Sequence, residues 1–206
     1  MQNTDKFIFV RHGQTDLNAA RVLQFHIDEP LNDIGREQAK MAAAALTAFD
    51  GSCLFMSSPL KRATDTAHIM HQSWHESKGV EEGNLIYSEA KLIERYGGSL
   101  EGIHHSEFKE LTQKHIPESV ETWDNLHLVC PRVESSKQVA ERMKQAVVEG
   151  CLKAKKSSST LVVVGHSSAF AAFARLELGF ECLTKNATPY MVECVKGKWQ
   201  ANPIGV

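Results

Sequence analysis

The chain has 206 residues, 42% of them hydrophobic and 23% charged, with a formal net charge of −2. That is enough for one well-cored domain and short for two. The near-neutral balance excludes a general attraction to nucleic acid or to an anionic membrane, so affinity for an anion must come from a local cluster of cations. Lys6 to Val10 is a short apolar run of strand formers ending on Arg11-His12-Gly13. Asn32 is placed to cap a helix through Ala39, Ala42, Ala43 and Leu46. Ser52 to Ser57 reads as a second buried strand, and Ser58-Pro59 as the N-cap and first residue of the next helix. That helix carries Leu60, Ala63, Ala67, Met70 and Trp74 on one face. Leu85 to Tyr87 is a weak strand, and residues 103–130 read as short helical pieces and loops. Glu134 to Ala154 is an amphipathic helix with Val139, Met143, Ala146, Val147 and Cys151 inward. Thr160 to Val164 is the strongest strand and breaks at Gly165-His166, before a helix through Phe170, Phe173 and Leu176. Tyr190 to Val195 and Lys198 to Ala201 pair as a hairpin around Lys196-Gly197.

Strands alternating with helices of this length predict one α/β domain over 1–206: a three-layer sandwich with a mostly parallel central sheet flanked by helices. Ligands of such sheets bind beyond the carboxyl ends of the strands. Two strands here end on a histidine, so parallel strands would place His12 and His166 on the same rim. The polar N-terminus and the brief apolar run after it predict no secretory leader. Thr160 to Ala174 carries His166 and is too short for a bilayer span. Five scattered cysteines (Cys53, Cys130, Cys151, Cys182, Cys194) without a C-x-x-C pair read as reduced thiols of a cytoplasmic protein.

The rim has the parts that phosphoryl transfer needs: a nucleophile, positive charge for the nonbridging oxygens, and a proton donor for the leaving group. A neutral imidazole is nucleophilic near pH 7 without a metal, which suits His12. Arg11 offers a planar, always-charged fork. Arg62 falls in the first turn of a helix, where the dipole favours an anion. His166 would donate as an imidazolium, with Ser167 and Arg21 added as substrate contacts; a surface ion pair is the alternative for Arg21. Glu94 sits in a glycine-flanked loop, Leu92 to Gly98, placed to cover the site.

Five ordered blocks then carry a resemblance. FVRHGQTDLN (Phe9 to Asn18) is similar to R-H-G-[EQ]-T-x-x-N, and DEPLNDIGREQA (Asp28 to Ala39) to D-x-P-L-[TN]-x-x-G-x-x-Q-A. SSPLKRATDTA (Ser57 to Ala67) resembles S-S-P-L-x-R-A-x-Q-T-A, with Asp65 at the usual glutamine. LIERYGGSLEG (Leu92 to Gly102) and VVVGHSS (Val162 to Ser168) complete the set. Together they resemble the histidine phosphatase superfamily, its phosphoglycerate-mutase-like branch with the RHG motif. The resemblance implies a metal-independent phosphomonoesterase without a cofactor. His12 would become phosphohistidine, Arg11, Arg62 and His166 would hold the phosphoryl oxygens with an amide from Asn18, and Glu94 would act as general acid and base. Its partners would be a small phosphorylated substrate and inorganic phosphate, with 103–130 as a pocket insertion. Phe25, Val133 and Leu100 depart from the usual glycine, glycine and tryptophan, and are expected to reshape the substrate pocket.

Gly165-His166-Ser167-Ser168-Ala169 imitates a serine-hydrolase elbow, but no histidine follows to complete the triad. A mutase would need extra basic residues for a substrate carboxylate, and 102–129 holds only Lys109 and Lys114. A non-catalytic phospholigand-binding module would not need the full catalytic set. His68, His71 and His75 form a helical strip read as solvated rather than metal-binding, and at most one of His104 and His105 is expected in the pocket. An edge strand is a possible route to a homodimer.

Overall fold

The computed structural model describes residues 5–47, 52–79 and 86–204. The elements in chain order are β1 (Lys6–Arg11), α1 (Asp16–Ala19), α2 (Asp33–Leu46), β2 (Ser52–Ser57), α3 (Lys61–Lys78) and β3 (Tyr87–Ser88). These are followed by α4 (His105–His115), α5 (Ser136–Lys156), β4 (Ser159–Gly165), α6 (Ser167–Phe173), β5 (Pro189–Val195) and β6 (Lys198–Pro203). The six strands make one sheet in the order β3-β2-β4-β1-β5-β6. The pairs β3·β2, β2·β4 and β4·β1 are parallel, and the closing β1·β5 and β5·β6 pairs are antiparallel.

Period-two alternation decides which layer each strand residue enters. Phe7, Phe9, Leu54, Met56, Leu161 and Val163 face α5 and α6, where they meet Val139, Met143, Val147, Phe170 and Phe173. Ile8, Val10, Cys53, Phe55, Val162 and Val164 face α2 and α3, against Ala39, Ala43, Leu46, Ala67, Met70 and Trp74. Both sheet faces are therefore covered, which is why the central strands read as continuous apolar runs. Each buried Phe, Leu or Val contributes about 1.5–3 kcal/mol relative to exposure. A third, smaller core of Phe25, Leu100, Ile116, Leu126 and Cys130 lies under the segment after α4.

Four local readings need correction. Helix α3 starts at Lys61 with Leu60 as a cap that makes no side-chain bond. The Ser58 hydroxyl is engaged by His166 Nε2 at 2.7 Å, and the Asp28 carboxylate instead accepts the Lys61 N–H at 2.6 Å. On α3, His71 and His75 are buried rather than solvated, with their Nε2 atoms 3.1 Å apart and the His71 ring edge-on to Phe55. No group of three or more metal-ligating side chains occurs among the described residues. After α6 the chain makes a π-helical turn, Ala174–Leu178, which shifts the phase so that Leu178 is buried and Leu176 exposed. Strand β3 has only two residues, and Leu85 lies outside the described residues.

No described helix is long and apolar enough to cross a membrane. All five cysteines are free.

Candidate active site

The parallel β1·β4 pair brings the two histidines together. Arg11 is in register with Gly165, and the His12 N–H donates to the Gly165 carbonyl at 2.9 Å. The two imidazoles are 5.2 Å apart between centroids and tilted by 56°. They are 4% and 1% exposed, respectively. His12 Nδ1 lies 2.7 Å from the Gly13 carbonyl, which can only accept, so Nδ1 carries the proton and Nε2 keeps its lone pair. Burial, followed by the charges of Arg62 and Arg11, holds the His12 pKa well below its ordinary value. The ring is neutral at neutral pH. His166 is held down in the same way, by burial first and then by Arg62, His12 and Arg11. Burial and the surrounding cations thus both favour the uncharged ring over an imidazolium while no anion is bound.

Three close approaches fix the segment that follows His12. A Cβ on Gly13 would sit 2.4 Å from the Gly35 carbonyl oxygen, and one on Gly35 would sit 2.1 Å from the Gln14 oxygen. The Gly13 N–H donates to Thr66 Oγ1 at 2.9 Å. The loop and the start of α2 thus touch backbone to backbone.

Arg62 Nη1 and Nη2 donate to the carbonyls of Ile27 (2.6 Å) and Phe25 (2.7 Å). Arg11 Nη1 donates to Thr184 O at 3.2 Å. Burial pulls both guanidinium pKa values down, and the nearby Glu94 charge opposes this. Arg11 Nε, Arg62 Nε and His166 Nδ1 are buried without a protein partner, three of six such side-chain atoms among the described residues. Unpartnered buried polar groups are rare and cost about 1–3 kcal/mol each, so three gathered beside one another call for a physical reason.

Glu94 is buried, and its carboxylate accepts the N–H groups of Arg95 (2.8 Å), Ser168 (3.2 Å) and Ala169 (2.8 Å). Its loop is held from α5. Arg142 donates to the carbonyls of Lys91 (2.8 Å), Ile93 (2.5 Å) and Glu94 (3.1 Å), while gripping both Glu134 oxygens at 2.7 and 2.8 Å. Arg95 is spent on Ser168 Oγ, Ser136 Oγ and the carbonyls of Trp123 and Glu134.

A cavity of about 500 Å³ is lined by Arg11, His12, Asn18, Arg62, Glu94 and Ser167 together with apolar side chains. His166 lies against His12, just behind this lining. Thr15 caps α1 in a reciprocal box with Asn18, whose Oδ1 also accepts from Asn186 Nδ2 at 3.3 Å. Arg21 is exposed, has a φ of 57° and is not part of the cavity wall, so the structure does not bring it to the site. Of the three departures, only Phe25 lines the cavity; Leu100 and Val133 pack in the small third core. His104 caps α4 while His105 joins the wall.

The sequence reading missed Ser58, Thr66, Arg142, Thr184 and Asn186. Asn186 Nδ2 donates to the His12 carbonyl at 2.9 Å across 174 positions, and no local spacing announces such a contact.

The family model of the histidine phosphatase superfamily (branch 1) matches residues 7–202. Phosphoglycerate mutase-like protein 4 of Arabidopsis thaliana is 32% identical over 61% of this chain and 56% of its own length. The glucosyl-3-phosphoglycerate phosphatase of Mycolicibacterium vanbaalenii is 36% identical over 50% of this chain and 41% of its own. A metal-independent phosphoserine phosphatase of Arabidopsis thaliana is 29% identical over 81% and 66%. The matches thus span about two fifths to two thirds of these relatives' lengths.

Among solved structures, a mycobacterial glucosyl-3-phosphoglycerate phosphatase superposes with a TM-score of 0.74 at 23% identity, covering 97% of this chain and 98% of that one. The phosphoglycerate mutase from Bacillus anthracis gives 0.78 at 21%, covering 98% and 94%. These show a shared phosphoglycerate-mutase-like fold. With two histidine-bearing strand ends side by side and a family match over nearly its full length, the chain belongs to the histidine phosphatase superfamily, branch 1.

Proposed function

We propose that the protein hydrolyses phosphomonoesters through a phosphohistidine on His12, without a metal or other cofactor. The observation that carries this is His12, its Nε2 unprotonated, beside Arg11, Arg62 and His166, each of which has one buried nitrogen (Nε, Nε and Nδ1) without a protein partner. A phosphoryl dianion would satisfy those nitrogens, and its charge would raise the pKa of His166 toward the donor form. His12 Nε2 attacks phosphorus as the bond to the ester oxygen breaks, and Glu94 passes to that oxygen a proton it has taken from the entering phosphate monoanion. Water then attacks the phosphohistidine, Glu94 takes its proton, and phosphate leaves with His12 restored. Asn18 uses its oxygen inside the α1 cap, so its NH2 is the group it offers the phosphate.

Relatives include 2,3-bisphosphoglycerate-dependent mutases, and phosphoryl transfer on the same scaffold is the second reading. It is disfavoured because no uncommitted lysine or arginine, among the described residues lining the cavity, is left for a substrate carboxylate. We assign 1–206 to one domain, with 103–130 as a pocket-forming insertion through His105, Glu121 and Trp123. Five free cysteines fit a reducing, cytoplasmic setting, and β6 at the sheet edge is the strand through which a homodimer would pair. No role for nucleic acid or membrane is included.

Phosphate release from 4-nitrophenyl phosphate tests the reading. Wild type is expected to turn over in excess EDTA, and His12→Ala to be inactive. Full activity in His12→Ala would overturn it.

A further inference from the structure

Beyond Arg11, His12 and Arg62 the cavity wall changes in chemistry. Val22, Leu23, Phe25, Trp123, Ala172 and Leu183 give it an apolar lining. Its only guanidinium and ammonium groups among the described residues are Arg11, Arg62, Arg95 and Arg175. The first two belong to the phosphoryl group. Arg95 is 1% exposed, commits its three nitrogens to four hydrogen bonds, and lies 5.7 Å over the Trp123 ring. Arg175 is locked bidentate onto Asp124 at 2.5 and 2.8 Å, with Glu121 and Glu181 each 3.7 Å away. Three carboxylates therefore outweigh that single cation, and two of them, Glu121 and Glu181, line the cavity themselves. The remaining basic side chain, His105, is kept toward its neutral form by burial and then by His104, Arg21 and Arg11.

Resting on the catalytic reading above, we infer that the natural substrates are phosphomonoesters whose leaving alcohol is extended, apolar and uncharged, and that a second anionic group on the substrate is rejected. An apolar alcohol buries against the wall, whereas a carboxylate or second phosphate would enter a region holding Glu121 and Glu181 with no free cation to pair it. The chain would then differ in substrate from relatives named for phosphoglycerates and phosphoserine.

Esters of matched aliphatic alcohols separate pocket preference from leaving-group basicity: 3-phenylpropyl phosphate, glycerol 3-phosphate and 3-phosphoglycerate, with 4-nitrophenyl phosphate as the general probe of catalysis. The expected kcat/KM for the phenylpropyl ester exceeds that for 3-phosphoglycerate by at least about tenfold, since each methylene fitted to an apolar pocket is worth about tenfold or more. Leu183→Ala, at a side chain 90% exposed, and Glu181→Lys, at one 78% exposed, leave the core intact. The first is expected to lower the phenylpropyl rate several-fold, and the second to narrow the gap by raising the 3-phosphoglycerate rate.

Turnover of 4-nitrophenyl phosphate combined with equal or better use of 3-phosphoglycerate would overturn this inference and leave the catalytic reading standing. If no ester is hydrolysed, calorimetry with 4-phenylbutylphosphonate and 2-hydroxy-4-phosphonobutyrate still decides it. Tighter binding of the phenyl compound supports the inference, and tighter binding of the carboxylate contradicts it.

Discussion

His12 donates a hydrogen bond from its Nδ1–H to the Gly13 carbonyl, which leaves Nε2 as its reactive nitrogen. Burial, helped by the charges of Arg62 and Arg11, holds the ring pKa down; in the proposed reaction the same two charges would meet the incoming phosphoryl group. Replacing Glu94 by Gln keeps the shape and removes the transferable proton. The expected loss in kcat for esters of aliphatic alcohols is about 10²–10⁴-fold, with a much smaller loss for 4-nitrophenyl phosphate, whose leaving group needs little protonation; equal losses on both would remove Glu94 from proton transfer. The buried histidines also set a pH dependence of stability. Both have folded pKa values well below the ordinary one, so in the unfolded chain they bind protons from about pH 6.5 downward while in the folded chain they do not. Stability is thus unaffected by them above about pH 7 and falls as pH drops below 6.5, with a slope of up to about 2.7 kcal/mol per pH unit for two such groups. Urea unfolding at pH 7.5, 6.5 and 5.5 measures the slope, and His166→Asn should roughly halve it.

At the scale of elements, Arg142 on α5 ties the loop carrying Glu94 to Glu134, with both side chains mostly buried. Arg142→Ala leaves Glu134 without its partner and should cost about 3 kcal/mol of stability, read as a lower urea midpoint. It should also lower kcat more than it raises KM, with partial rescue in Arg142→Lys; an unchanged kcat would make the pair purely structural. Gly35→Ala drives a methyl group into the Gln14 backbone, and a strain of about 1–3 kcal/mol is expected. The pieces legible in the sequence were those decided locally. β1, β2 and β4 are apolar on both faces, and the Lys196-Gly197 turn takes the paired positive φ values, 51° and 79°, of a tight hairpin. The start of α3 was not legible, because the Ser58 hydroxyl is claimed by His166 108 positions away. The burial of His71 and His75 depends on Phe55 and on their mutual contact, and the phase change after α6 on a π turn. For the site, positions of His12, Arg11, Arg62, Glu94 and His166 followed from strand ends and motif order. Arg142 and Asn186 did not, since each acts through contacts that only the folded topology creates, and Arg21 stands exposed outside the cavity wall.

Over the whole molecule, the sheet sets the chemistry by register. Pairing β1 with β4 in parallel puts Arg11 opposite Gly165, and a slip of one residue would move every inward side chain to the opposite layer. The two large cores share all the central strands, so far-ultraviolet circular dichroism and tryptophan fluorescence should report one coincident unfolding transition; two separated transitions would argue against a single domain. Binding of vanadate or phosphate should raise the midpoint, since the ligand binds only the folded chain. The most direct test of the central claim is a rapid-quench trap of the enzyme during turnover of a ³²P-labelled ester. The expected result is a covalent label that is acid-labile and base-stable, that maps to His12 and that is absent in His12→Ala. An acid-stable label, or one that persists in His12→Ala, would contradict it.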